Sequence, residues 1–199
     1  EIGILTNLVA LNDSIIDFVK RNSITIAVSI DGVEKYHNET RHFKNGMGTF
    51  DIVDKNIDKL LDNGIKPTLM TVISNSNLDG IADFTRYVIE KKIKNRYSFV
   101  SGMDIDIQKL VSKLKLCYEI YDKAIESGYD FSSLHKLCDL KFDKLSFQTC
   151  GNGFNGGALY TDGSVYFCHR NFGLTQPLGS IFEEDDLLSV IQRKTFYKE

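Results

Sequence analysis

Thr25-Ile26-Ala27-Val28-Ser29-Ile30-Asp31-Gly32 is a β-rich run closed by a turn signal, and what stands on either side of it decides the fold. Upstream, Ile2 to Leu5 reads as another strand, and Asp13 to Lys20 between the two is a helix with Ile15, Ile16 and Val19 on one face. Downstream comes a polar loop rich in Asn, His, Lys and Gly. Thr49 then stands where the N-cap of a helix carrying Phe50, Val53, Ile57, Leu60 and Leu61 would be, and Gly64 ends that helix. Pro67 to Ile73 repeats the strand, Leu78 to Lys92 the helix, and Tyr97 to Val100 the strand again. Strands alternating with amphipathic helices predict successive βα units and a parallel sheet, an α/β fold.

The alternation stops after Ile105 to Ser127, one long helix with Leu110, Leu114, Cys117, Ile120, Tyr121 and Ile125 on a buried stripe. From Phe147 the composition changes. Glycine is dense between 151 and 163, and Ala158-Leu159-Tyr160 and Val165-Tyr166-Phe167 flank Thr161-Asp162-Gly163-Ser164, a β-hairpin with a DG turn. Glu183 to Phe196 reads as a last helix with an acidic first turn. The expected organisation is a βα domain over 1–130, a linker over 131–147 and a small module over 148–199. Glu1-Ile2-Gly3-Ile4-Leu5 begins as a strand without a lead-in, and residues 195–199 close on a helical pattern without a stop signal. Both termini therefore read as cuts in a longer chain.

Hydrophobic residues make up 42% of the 199 and charged residues 26%, ordinary values for a folded chain of about one domain. A net charge of -3 gives no basic surface of the size that nucleic acid requires, so no nucleic-acid partner is expected. No apolar run is long enough to span a bilayer, and no secretion signal opens the chain, so no membrane and a cytoplasmic, reducing compartment are expected. In such a compartment the four cysteines, 117, 138, 150 and 168, are core thiols or metal ligands rather than disulfides. Cys117 falls on the apolar stripe of the long helix and reads as a core thiol; Cys138 stays open. Cys150 precedes a glycine-rich turn, and the hairpin returns Cys168 on the adjacent strand, so two thiolates can converge on one metal with backbone N–H groups close to its sulfurs. Two buried thiols are the plain alternative.

Cys150, twelve residues, Gly163, four residues and Cys168 resemble the opening CX(9-15)GX4C element of the SPASM domain, the auxiliary iron-sulfur extension of radical SAM enzymes. Tyr160 to Arg170 followed by Leu178-Gly179-Ser180-Ile181 is similar to that family's "DG-VYPCHR … LGNI" run. Upstream, Thr6-Asn7, Val28-Ser29-Ile30-Asp31-Gly32, Tyr36-His37, Arg41 and Gly48-Thr49-Phe50-Asp51 resemble its "TNG … SIDG … H…R … GTFD" series, with Leu8 where the first glycine would stand. The CX3CX2C motif, the GGEP-type segment and the later SPASM cysteines are absent from the sequence.

The resemblance implies a radical SAM partial (β/α)6 barrel with parallel strands, followed by part of a SPASM-like hairpin and helix module. By it, Thr6, Ser29, Asp31 and Arg41 face S-adenosylmethionine (AdoMet), and Cys150 and Cys168 are ligands of an auxiliary 4Fe-4S cluster. Polar groups at the C-terminal ends of parallel strands do face a ligand crevice, and an arginine can clamp a carboxylate. His169 takes the place of the aspartate that serves as general base in sulfatase-maturing relatives. It is a candidate to move a proton, though a histidine there is as well read as a surface residue. Arg170 beside it reads as the partner of a carboxylate, and Asp31-Gly32 also as a turn device. His37 and His42 read as surface histidines. The implied parent is an iron-sulfur oxidoreductase that modifies a peptide or protein by adenosyl-radical hydrogen abstraction, with 4Fe-4S clusters and AdoMet as cofactors. A flavodoxin- or ferredoxin-like reductant would be its partner. The 199 residues alone are expected to be inactive and to hold no cofactor. Two other readings stay open: a non-catalytic metal- or peptide-binding α/β module, and a small α/β enzyme of unrelated chemistry.

Overall fold

The computed structural model describes residues 2–100, 104–130, 135–136, 157–168 and 172–183. The chain divides into two compact units, residues 1–140 and 141–199.

In the first unit the expected alternation is present. Strands β1 (Gly3–Thr6), β2 (Thr25–Ser29), β3 (Thr68–Ile73), β4 (Lys94–Phe99) and the short β5 (His135–Lys136) form one sheet in chain order, every pair parallel. Helices α1 (Asp13–Arg21), α2 (Glu34–Thr40), α3 (Phe50–Asp62), α4 (Ile81–Lys91) and α5 (Ile107–Glu126) fill the connections. Helix α2 lies inside the stretch expected to be a loop. Its seven residues, EKYHNET, carry no apolar stripe that periodicity could find.

One face of the sheet is dry. Ile26 and Val28 of β2, Leu69 and Ile73 of β3 and Tyr97 of β4 share one buried cluster with Ile16 and Val19 of α1, Ile57 and Leu60 of α3, Phe84 and Val88 of α4, and Leu110 and Cys117 of α5. The other, inner face holds the alternate residues: Ala27 and Ser29, Thr68, Met70 and Val72, Lys94, Arg96 and Ser98. All of these are half-buried or exposed. β1 is the edge strand at one side, with Ile4 and Leu5 exposed.

Four helices end in the same way. After α1, α3, α4 and α5 a residue in left-handed conformation (Ser23, Gly64, Lys92, Gly128) is followed by an apolar one (Ile24, Ile65, Ile93, Tyr129). The N–H of that apolar residue bonds the carbonyl five residues back, at Val19, Leu60, Val88 and Ala124. This is a Schellman close, and the apolar residue after it anchors the chain before the next strand.

Thr49 immediately precedes α3, but its side chain does not cap it. The amide of Phe50 donates instead to Asn38 Oδ1, 3.0 Å away, and the Thr49 hydroxyl turns elsewhere. Gly48 makes room for this arrangement: a Cβ there would overlap the Asn38 amide.

In the second unit β6 (Ala158–Leu159) and β7 (Ser164–Tyr166) form the expected antiparallel hairpin, and β8 (Gly179–Ser180) adds a third strand to β7. Val165 and Leu178 form a small core with Phe167 and Ile181. Gly163 has φ +83°, and a Cβ on it would strike the Phe182 ring, so both conformation and contact require glycine at this turn. The helix expected over 183–196 lies, after Glu183, outside the described residues. Among the described residues no helix is long and apolar enough to cross a membrane.

Candidate functional site

The C-terminal ends of β1, β2 and β3 and the loops after them carry a connected set of polar side chains. It begins with the turn after β1. The amide of Leu8 donates to Thr6 Oγ1 (2.9 Å) and that of Val9 to Asn7 Oδ1 (3.2 Å), so both side chains serve the loop's own backbone. Leu8, standing at the glycine position of the motif, has φ +55°. It keeps the left-handed conformation that glycine would adopt freely, and its side chain is buried. Asn56 of α3 holds the same turn by donating from Nδ2 to Leu8 O at 2.9 Å.

After β2 the chain turns through Asp31, whose carboxylate is only 10% exposed. Asp31 Oδ2 accepts from Arg41 Nε at 2.6 Å, and Oδ1 accepts from the Val72 amide of β3 at 3.3 Å. Asn77 Nδ2 donates to the carbonyls of both Asp31 (2.9 Å) and Val72 (2.7 Å), fixing one strand end against the next.

His37 closes the ring. It is 1% exposed, so it is not the surface residue expected from its polar surroundings. The Asp31 amide donates to its Nδ1 (3.3 Å), which makes Nε2 the protonated nitrogen facing Thr49 Oγ1 at 3.0 Å. The Thr49 hydroxyl in turn donates to the Arg41 carbonyl at 3.0 Å. Burial, and next the Arg41 charge, lower the His37 pKa to about 4, although Asp31 opposes the shift. The imidazole is therefore neutral at physiological pH and acts as a two-ended spacer. His42 is the exposed one of the pair.

The ring Asp31, His37, Thr49, Arg41 is thus closed at every member. Arg41 is bound through Nε, its side chain is 31% exposed, and its terminal nitrogens meet no acceptor among the described residues. Ser29 ends β2 on the inner face, two residues before Asp31. A fixed guanidinium with its fork unused is suited to a carboxylate.

The fold has counterparts among solved structures. The chain aligns over 95% of its length with anSMEcpe in a structure with bound AdoMet, at TM-score 0.70 and 17% identity, covering 56% of that protein. It aligns over 96% with Streptococcus suis SuiB bound to its precursor peptide SuiA, at TM-score 0.62 and 16% identity, covering 47% of it. The fold is that of the radical SAM maturases. A serine-type anaerobic sulfatase-maturating enzyme of Bacteroides thetaiotaomicron is 32% identical over 87 residues, 44% of this chain and 21% of the relative. No sequence profile of a known family matches. The chain spans about half the length of the maturases of known structure that it matches.

Of the two metal-ligand candidates, Cys168 stands two residues past the end of β7 and is half-buried. Cys150 and His169 lie outside the described residues, as do Cys138 and Arg170. Cys117 is fully buried beside Tyr121, and burial pushes its thiol pKa up, as a core thiol requires. Asp31, His37 and Thr49 work as one device to orient Arg41. The link from His37 to Arg41 runs through the Thr49 hydroxyl, a contact across twelve residues of sequence that no local pattern shows. The burial of His37 was hidden as well, because α2 itself is invisible to periodicity.

Proposed function

We propose that this chain supplies the AdoMet-carboxylate side of the crevice of a radical SAM maturase whose substrate is a peptide, and part of its auxiliary cluster module. The Arg41 fork held by Asp31 carries the reading. A bidentate guanidinium fits the amino-acid carboxylate of AdoMet, and Ser29 on the same rim adds a hydroxyl. Thr6 and Asp31 support the site from behind, through the turn after β1 and the anchor of Arg41. AdoMet and a reduced cluster would supply the hydrogen-abstracting radical; the residues described here would bind and orient AdoMet. Cys150 and Cys168 would each give a thiolate to a 4Fe-4S cluster, which suits sulfur donors, and His169 would lie beside it. With no CX3CX2C run in its sequence, this chain by itself is proposed not to cleave AdoMet. A peptide substrate accords with SuiA bound to SuiB in the same fold. A small flavodoxin- or ferredoxin-like protein would supply the electrons.

The test is calorimetric titration of AdoMet into the chain and its Arg41→Ala variant. Loss of the charged bidentate contact should weaken binding at least tenfold, about 1.4 kcal/mol. Equal affinity in the two proteins would remove Arg41 from the site. Separately, anaerobic iron reconstitution should load less iron into Cys150→Ser and Cys168→Ser than into the parent, and unchanged loading in both would remove the cluster assignment.

A further inference from the structure

We propose that the N-terminal end of the sheet, with the loops that lead into its strands, holds a pocket for an acidic peptide segment. The inference rests on the reading of the chain as part of a peptide maturase and goes beyond it, by adding a second peptide site at the other end of the sheet.

The inner-face positions of β1 to β4 alternate with the buried ones, and the strand pairing sets them in rows: Ala27, Thr68 and Lys94 in one, Ser29, Met70 and Arg96 in the next. No inner-face position on these four strands carries a carboxylate, and β4 presents two cations, Lys94 and Arg96. At the strands' N-terminal ends, opposite to the Arg41 rim, lies a cavity of about 570 Å3. That volume is within the range of small-ligand sites. Lys66, Lys92 and Lys94 line it, together with Thr25, Thr68 and Tyr129.

The cations arrive through the repeated helix endings. Lys66 follows the Gly64-Ile65 close, while Lys92 is itself the left-handed residue of the next one, with Lys94 two residues further on. None of the three lysines has a carboxylate within ion-pair distance among the described residues, whereas Lys59, Lys109 and Lys113 each have one and Lys91 has two. Asp130 also lines the cavity, which leaves three positive charges against one negative.

The arrangement favours a peptide over a compact oxyanion. The ammonium groups come from three separate backbone positions around a space far larger than a phosphate, and no guanidinium fork is among them. Lysines on flexible stems suit several separate carboxylates, and Pro67 and Tyr129 line the space between them for the intervening chain.

The experiment uses the 199-residue protein and labelled hexaglutamate, followed by fluorescence anisotropy at low salt. Hexaglutamate should bind and hexaglutamine should not, and the Lys66→Gln/Lys94→Gln variant should bind at least tenfold more weakly. A charge-matched control, Lys20→Gln/Lys44→Gln, removes two exposed lysines elsewhere and should bind as the parent does. Equal weakening in the control, or no binding of hexaglutamate, overturns the proposal. Displacement of hexaglutamate by equimolar pyrophosphate also overturns it, in favour of a simple oxyanion site. AdoMet titrated into the same preparations separates the two readings. AdoMet binding that depends on Arg41 without hexaglutamate binding sinks the pocket alone, whereas hexaglutamate binding with equal AdoMet affinity in the parent and Arg41→Ala removes Arg41 from the AdoMet site and leaves the pocket standing.

Discussion

Leu8 sets two effects against each other. Its left-handed backbone costs about 1–2 kcal/mol in an L-residue, while its side chain, 3% exposed, contributes about 2–5 kcal/mol of burial that truncation would lose. Burial wins, so Leu8→Gly should be destabilised by roughly 1–3 kcal/mol in urea unfolding even though it restores the residue of the resembling motif. A gain in stability would mean that the strain dominates. His37 gives a pH-dependent counterpart. Its folded pKa of about 4 lies below the ordinary 6.5, so the unfolded chain takes up the proton first. Stability is complete above about pH 6.5 and is lost as pH falls through that value toward about 4, by roughly 3 kcal/mol in all. Unfolding free energies measured between pH 7 and 4 should show this slope, and in His37→Gln it should be absent. Asp31→Asn keeps the shape but removes the charge that holds Arg41, so AdoMet affinity should fall nearly as far as in Arg41→Ala.

Among the elements, the repeated helix ending makes a clean comparison, because four turns of one geometry carry Ser, Gly, Lys and Gly at the left-handed position. Ser23 is exposed, so Ser23→Gly should stabilise the chain by about 0.5–1 kcal/mol, read from thermal unfolding. Gly163→Ala should do the opposite to the hairpin, forcing the Phe182 ring away at a positive φ, and limited proteolysis should then cut within 157–183. The elements built on apolar periodicity, β1 to β4 and α1, α3, α4 and α5, could be read from the sequence because burial of one face imposes its period on the residues. α2 could not, since it is held by Tyr36 packing and by polar contacts of Asn38 and His37. β8 could not either, since two residues show no period. Arg41 was legible as a candidate through motif order. That Thr6 serves the turn and that Asp31 anchors Arg41 depends on hydrogen bonds across elements, which no local pattern records.

At the scale of the whole molecule, the first unit is a sheet with one dry face and one polar face, and the two ends of the polar face differ in chemistry. One end offers a single guanidinium fixed by a ring of hydrogen bonds; the other offers mobile lysines around an open cavity. Among the described residues β1 borders the same sheet with no further strand beside it, and Ile4 and Leu5 are exposed on it. Such an edge is a template onto which any extended chain can add. In a concentrated solution this is a question of colloidal shelf life rather than of folding. Fibrillar growth of the 199-residue protein followed with an amyloid dye should seed from this strand, and Leu5→Lys, which puts a charge on that border at the inner-face position beside Ala27, should delay its onset while leaving the melting temperature nearly unchanged.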